Sequence, residues 1–270
     1  MAALEYNAVI TQKTEVAPGL CIFHIAPIGW ELPPLKAGQF VAVGLKGSEA
    51  RYEFSDAEYE PADPDKMIRR AYSVASGSVD TDHVELYISL VKSGALSPRL
   101  FNLKTGDKVF MNKKFTGMFT LDQVADDKNI ILVATGTGVA PYMSMLRSSI
   151  KNHETRKYAV VHGSYNSWDL GYRSELRTVE RFSPNFSYIP TISHPENEPI
   201  EWKGNIGFVQ SVVEKRVLQE KWGMEITPEN TDVFLCGHPK MIEDMLALLE
   251  KDGFTEHSRK NPGQVHVEKF

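Results

Sequence analysis

Asn129–Arg147, NIILVATGTGVAPYMSMLR, limits the fold more than any other stretch of the chain. Ile130–Thr135 is apolar or small without interruption. A run that short, ended by glycine, reads as a strand buried on both faces, as in a parallel sheet. Gly136-Thr137-Gly138 then forms a turn that only small residues close tightly. Pro141 follows where a helix can spare an N–H, and Tyr142–Ile150 has helical spacing. Strand, glycine turn and helix N-terminus together aim unpaired backbone N–H groups at one point on the carboxyl edge of a sheet, a place suited to a phosphate.

Around this stretch the texture of the sequence changes once. Before Leu121 there are short strand candidates separated by glycine and proline: Tyr6–Lys13, Leu20–Ala26, Gln39–Leu45, Arg70–Ala75, His83–Val91 and Lys108–Phe110. Only Pro98–Leu103 has helical character, so this half predicts an antiparallel barrel or sandwich. Within it Gly47–Met67, acidic, aromatic and broken by proline, predicts a solvated surface loop. After Leu121, strands at Ile130–Thr135, Tyr158–His162, Phe186–Ile192 and Val233–Cys236 alternate with helices at Tyr142–Ile150, Tyr172–Phe182, Phe208–Glu220 and Pro239–Asp252. That alternation predicts a parallel α/β sheet. The charged pair Asp126-Asp127 marks the boundary, giving domains over 1–126 and 127–270.

Bulk properties narrow the function. A net charge of −5 argues against nucleic-acid binding. No apolar run reaches the roughly 20 residues of a membrane span, and the first residues lack a signal-peptide pattern, so a cytoplasmic location is expected. Two cysteines, Cys21 and Cys236, exclude a four-cysteine iron–sulfur cluster supplied by this chain, and eight scattered histidines show no metal-ligand spacing.

Four further stretches carry chemistry. Arg70-Ala71-Tyr72-Ser73 lies in a strand, with Arg70 and Tyr72 expected on one face and Ser73 on the other; an arginine beside a tyrosine suits a phosphate and a planar ring. Ser93-Gly94-Ala95-Leu96-Ser97-Pro98 is a glycine turn that opens a short helix and offers N–H groups at Leu96 and Ser97 to a second anion. Cys236-Gly237-His238-Pro239 follows the last strand candidate buried on both faces. Val265–Phe270 alternates and ends in an aromatic residue, as a docked edge strand does. Two anion-binding turns, one in each half, suit two nucleotides.

RAYS, GALS, GTGVAP and CGHP in this order resemble the ferredoxin–NADP⁺ reductase family, closest to the bacterial ferredoxin (flavodoxin) reductases. The resemblance covers all but Gly47–Met67. It implies a six-stranded antiparallel barrel holding FAD and an α/β domain binding NADP(H). It further implies that Arg70 meets the FAD phosphates, Tyr72 stacks on the isoalloxazine and Ser73 approaches flavin N5. Tyr87, Ile88 and Val91 would line the flavin pocket, Gly94, Leu96 and Ser97 would hold the pyrophosphate, and Thr137 would lie nearest the flavin. Gly136, Gly138, Pro141, Ser164, His194, Cys236 and Gly237 would contact the nicotinamide nucleotide. Ser73, Cys236, Glu268 and Phe270 would serve catalysis, Phe270 covering the other flavin face. The implied activity is hydride exchange with a nicotinamide and single-electron exchange with ferredoxin or flavodoxin. An oxygenase reductase component or a general flavin reductase is the alternative, and a non-catalytic binding protein is a third reading. Where relatives place arginines for the NADP 2′-phosphate, this sequence has Tyr165, His194 and Asn205, which leaves NADH open as a substrate. Lys104, Lys108, Lys113 and Lys114, beside Arg99, are expected to form a docking patch for an acidic partner.

Overall fold

The computed structural model describes residues 5–150 and 155–269. The chain divides into two compact units, Met1–Thr120 with Met143–Ser149, and Leu121–Tyr142 with Ile150–Phe270.

The first unit is a six-stranded antiparallel sheet. In chain order its strands are β1 (Ala8–Ala17), β2 (Leu20–Pro27), β3 (Phe40–Lys46), β4 (Met67–Ser73), β5 (Val84–Ser89) and β6 (Lys108–Met111), with helix α1 (Ser97–Asn102) between β5 and β6. The spatial order is β4-β3-β6-β1-β2-β5. A bridge between Val74, just past β4, and Leu86 of β5 joins the two edge strands and closes the barrel. Alternation drives the closure: Cys21, Phe23 and Ile25 of β2 point inward and are buried, while the residues between them stay partly exposed. Phe23, Ile25, Val43, Leu86, Leu100 and Met111 share one apolar core. Each such side chain contributes about 2 kcal/mol by leaving water.

The second unit is an all-parallel sheet of β7 (Asn129–Thr135), β8 (Tyr158–Ser164), β9 (Phe186–Ile192), β10 (Asn205–Ile206), β11 (Thr231–Gly237) and β12 (Val265–Lys269). Its order is β10-β9-β8-β7-β11-β12. The helices are α2 (Ala140–Ser149), α3 (Arg173–Phe182), α4 (Val209–Glu214), α5 (Val217–Trp222) and α6 (Pro239–Lys251). Every residue from Asn129 to Ala134 is buried, as the uninterrupted run requires. From β7 the chain steps outward through β8, β9 and β10, then returns to the other side of β7 as β11. The strand order therefore reverses between β7 and β11, and such a reversal opens a crevice at the carboxyl ends of the two strands.

The fold class matches the sequence expectation, with local differences. The single helix expected over Phe208–Glu220 is two short helices, because Arg216 sits at φ 52°, a left-handed conformation that breaks the hydrogen-bond ladder. The two-residue strand β10 was not anticipated; it is too short to show a period. Gly47–Met67 has almost no regular structure and is mostly exposed, as a surface loop should be, but it is anchored: Tyr52 packs on the barrel core, and its N–H donates to Pro98 O at 2.9 Å. Both cysteines are free and buried. Among the described residues, no helix is long and apolar enough to cross a membrane, and no group of three or more His, Cys, Asp and Glu side chains could hold a metal ion.

Candidate functional site

In the second unit the site grows from the reversal between β7 and β11. Gly136–Val139 is a single 3₁₀ turn between β7 and α2, and Pro141 is buried in the first turn of that helix. A Cβ on Gly138 would lie 2.3 Å from Cys236 O, and one on Gly237 (φ +142°) would lie 2.3 Å from Thr135 Oγ1. The two turns pack backbone on backbone, and only glycine permits that. Gly136 differs: nothing stands within 4 Å of its Cβ position, and its φ of +54° is a left-handed conformation that glycine adopts without strain. Thr135 Oγ1 accepts from His238 N at 3.1 Å, and His238 Nδ1 accepts from Lys240 N to cap α6.

Two side chains that sequence reasoning left in the background, His162 and Tyr142, hold this turn, and Cys236, singled out there, lies beside it. His162, fully buried in β8, has Nε2 3.0 Å from Gly136 O and Nδ1 3.4 Å from the Tyr188 hydroxyl. Burial pulls its pKa down to about 4, against the opposing effect of the Gly136 carbonyl. It is therefore neutral at pH 7, and the bond to Gly136 requires the Nε2–H tautomer. The Tyr142 hydroxyl lies 2.9 Å from Val133 O and 2.8 Å from Phe234 O, pinning the start of α2 to both strands at the reversal. Cys236 is buried beside Glu268, its register partner in β12, and its thiol donates to Glu268 Oε2 at 3.8 Å. Burial, then the Glu268 charge, push the thiol pKa well up, so Cys236 is a neutral donor rather than a thiolate.

At the ends of β8 and β9 the chain is stitched by Ser193 N to Ser164 O (3.1 Å) and His194 N to Tyr165 O (2.9 Å). Tyr165, 66% exposed, meets the His194 ring edge-on at 5.2 Å, and His194 Nδ1 lies 2.9 Å from Ser193 Oγ. Ser164 Oγ is buried with no hydrogen-bond partner among the described residues. The nearby cations are Arg173, stacked 4.7 Å over the Trp202 ring, and the exposed Lys203.

In the first unit, β4 carries Arg70, Tyr72 and Ser73, paired in register with Val43, Val41 and Phe40 of β3. Arg70 is exposed; Tyr72 and Ser73 are both half-buried, so the alternation of faces blurs at the strand end. Arg70 makes one side-chain hydrogen bond, to Arg69 O, and no ion pair among the described residues. Burial pushes the Tyr72 phenol up, so its ring is that of a neutral tyrosine. Tyr87 and Ile88 of β5 are buried, whereas Val91 is 55% exposed. In the turn that follows, a Cβ on Gly94 would meet Val91 O at 3.0 Å. The Ser97 hydroxyl accepts from Val91 N at 3.0 Å and donates to Val91 O at 3.3 Å, so it closes the turn on itself. Leu96 is buried as the N-cap of α1.

Arg99 corrects the expected docking patch. It is 2% exposed and doubly bonded to Glu58, whereas Lys104, Lys108, Lys113 and Lys114 are exposed, with Lys113 5.5 Å over the Trp30 ring. Phe270 lies outside the described residues.

Both half-sites fit nucleotides. An exposed arginine without a carboxylate partner among the described residues precedes a neutral tyrosine in the first. The second has a glycine turn with no room for side chains on its inner edge, and a buried serine hydroxyl without a partner among the described residues.

Residues 132–246 match the family described as the oxidoreductase NAD-binding domain. The chain is 30% identical over 241 residues to the flavodoxin/ferredoxin–NADP reductase of Buchnera aphidicola subsp. Schizaphis graminum (strain Sg), covering 89% of this chain and 90% of that protein. It is 28% identical over 261 residues to the phenol 2-monooxygenase reductase component DmpP of Pseudomonas sp. (strain CF600), 93% of this chain and 65% of that one. A crystal structure of a ferredoxin NADP⁺ reductase from Neisseria gonorrhoeae with bound FAD and NADP has a TM-score of 0.80 at 22% identity, covering 100% and 99% of the two chains.

Proposed function

Since the chain belongs to the flavodoxin/ferredoxin–NADP reductase family, we propose that it is an FAD-dependent oxidoreductase that moves electrons between NADP(H) and a ferredoxin or flavodoxin. Residues 1–126 are the FAD-binding domain in this reading and 127–270 the NAD(P)-binding domain. The observation that supports it most is the sheet reversal, where Gly138 and Gly237 leave no space for a Cβ and Glu268 stands beside Cys236.

FAD, when bound, supplies the redox chemistry: two electrons exchanged as hydride on one side, single electrons on the other. The chain supplies position and charge. Arg70 balances the FAD phosphates, Tyr72 offers its ring face, and Ser73 presents a hydroxyl toward flavin N5. Leu96 and Ser97 hold the pyrophosphate through backbone N–H groups, since the Ser97 hydroxyl is already engaged with Val91, and Gly94, whose own N–H donates to Val91 O at 2.8 Å, shapes the turn they sit on. Tyr87, Ile88 and Val91 wall the ring. Gly136, Gly138 and Pro141 receive the nicotinamide nucleotide's pyrophosphate, and Ser164 and His194 its adenosine end. Cys236 and Gly237 border the nicotinamide. Glu268 Oε2 holds the Cys236 thiol proton and keeps a carboxylate beside that border. Lys104, Lys108, Lys113 and Lys114 form a cationic face for an acidic protein partner.

The test is the purified protein: its flavin content, then its rates with NADPH and NADH using ferredoxin, flavodoxin and free flavin as acceptors. Bound FAD and faster reduction of a protein acceptor than of free flavin are expected, with the protein rate falling as salt rises and falling further in Lys113→Glu/Lys114→Glu. A protein without flavin, or one that reduces only free flavin, overturns the reading. Reduction of an oxygenase partner with NADH supports the second reading, which the likeness to DmpP and the Tyr165–His194 pair favour.

A further inference from the structure

Gly47–Met67 lies outside the family resemblance, yet it is tied, directly or through Arg99, to three carbonyls of the turn between β5 and α1 and to one in the first turn of α1. Arg51 Nη2 donates to Lys92 O at 3.0 Å, and Asp56 N donates to the same oxygen at 3.1 Å. Arg51 Nη1 donates to Gly94 O at 2.9 Å. Arg99 Nη1 donates to Ala95 O at 2.7 Å, and Tyr52 N to Pro98 O at 2.9 Å. One carboxylate organises these donors. Glu58 Oε1 accepts from Arg51 at 3.1 Å and from Arg99 at 2.8 Å, while Oε2 accepts from Arg99 at 3.1 Å and from Ala62 N at 3.3 Å. Arg99 Nη2 also reaches Gly47 O at 2.8 Å, closing the base of the segment onto the turn.

A peptide group is a dipole: turning its C=O one way turns its N–H the other. With four carbonyls of the 92–98 segment fixed on the Glu58 side, three of them by guanidinium groups, the segment's peptide dipoles are ordered rather than free to flip. Guanidinium donors also polarise those peptide groups and sharpen their N–H ends.

We propose that residues 47–67 are a fixed part of the FAD site, with Glu58 a positioning residue that acts through Arg51 and Arg99 to set the peptide orientations of the 92–98 turn for the pyrophosphate. The inference rests on the FAD reading above. It makes the segment a strap that tightens the hold on a dinucleotide without touching the flavin ring.

The ring and the pyrophosphate can be separated by ligand. Riboflavin carries the ring alone, FAD carries both. Titrating apoprotein with each, followed by quenching of flavin fluorescence, gives the two dissociation constants. For Glu58→Ala the FAD constant should rise at least tenfold while the riboflavin constant changes less than twofold, and Glu58→Gln should fall between. Arg51→Met, which leaves the Glu58–Arg99 pair intact, should follow the same split should Glu58→Ala not fold. FAD affinity within twofold of wild type in these variants overturns the strap, as does an equal loss for both ligands, which marks a general structural defect. Wild-type apoprotein that binds neither ligand overturns the FAD reading itself.

Discussion

The two turns that would each receive a pyrophosphate are built on opposite principles. The 92–98 turn of the first unit is held from outside by charge: two guanidinium groups, both anchored on one carboxylate, grip its carbonyls, and the 21-residue segment 47–67 supplies one guanidinium and the carboxylate. The 136–138 turn of the second unit is held from within by exclusion. Backbone packs where a Cβ cannot fit, and a buried neutral imidazole donates to one carbonyl. The antiparallel barrel leaves its β5–α1 connection at a rim, where added chain can reach it. The parallel sheet buries its central connection between neighbouring strands, where only atoms already present can act. The same demand on the backbone is met by whatever means the surrounding layer allows.

The contrast breaks most readily at Gly138. Gly138→Ala forces a methyl to 2.3 Å from the Cys236 carbonyl, an overpacking worth roughly 3 kcal/mol. NADPH kcat/KM should fall about a hundredfold with FAD content retained. Retained NADPH kinetics in a folded Gly138→Ala protein would show that the turn yields, and that exclusion does not hold it.

A smaller effect is expected at His162. Replacing it by Phe strands the Gly136 carbonyl, at a cost of about 1–2 kcal/mol. NADPH KM should rise roughly tenfold with kcat nearly unchanged, and His162→Gln, which keeps a donor, should recover most of the loss. Equal KM in wild type and His162→Phe removes the imidazole from the account.

The smallest effect sharpens the contrast through pH. His162 has a folded pKa of about 4 against an unfolded value near 6.5, so its neutral form's contribution is complete above pH 6.5 and is lost as pH falls towards 4. Glu58 is held at about 2 from an ordinary 4.5, first by its bonds to Arg99, so its contribution is complete above about 4.5 and is lost only on the way to 2. Thermal melts in acid should therefore show His162→Gln flattening the upper window and Glu58→Gln the lower. The same slope in a variant and in wild type across its window would refute the assignment for that residue.

Much of this was legible in the sequence. The apolar run, the glycine turn and the alternation of strands with helices pointed to the parallel sheet and to the tight turn at its carboxyl edge, and the order of four short motifs pointed to the family. What stayed hidden depends on pairing at a distance. His162 reads as one more residue of a buried strand; only its position opposite the Gly136 carbonyl gives it work. Arg51, Glu58 and Arg99 span up to 48 positions, and a sequence lists charges without saying which ones meet. One signal was available: Arg99 sits among Pro98, Leu100 and Phe101 in a short helix, and a charge in an apolar helix asks for a buried partner. The break at Arg216 had no such signal, since arginine is an ordinary helix residue.

The strand order also bears on how the molecule reaches its native state. β11 joins β7 in register from Thr231 opposite Asn129, about a hundred residues after β7 leaves the ribosome. Until then one rim of an uncharged, water-averse ribbon has no native neighbour and can recruit a stranger's backbone instead. Recovery from denaturant should consequently drop as protein concentration rises, and adding a separate peptide with the β11 sequence during dilution should restore part of it; yields indifferent to both would mean that this ribbon is shielded by other means while it waits.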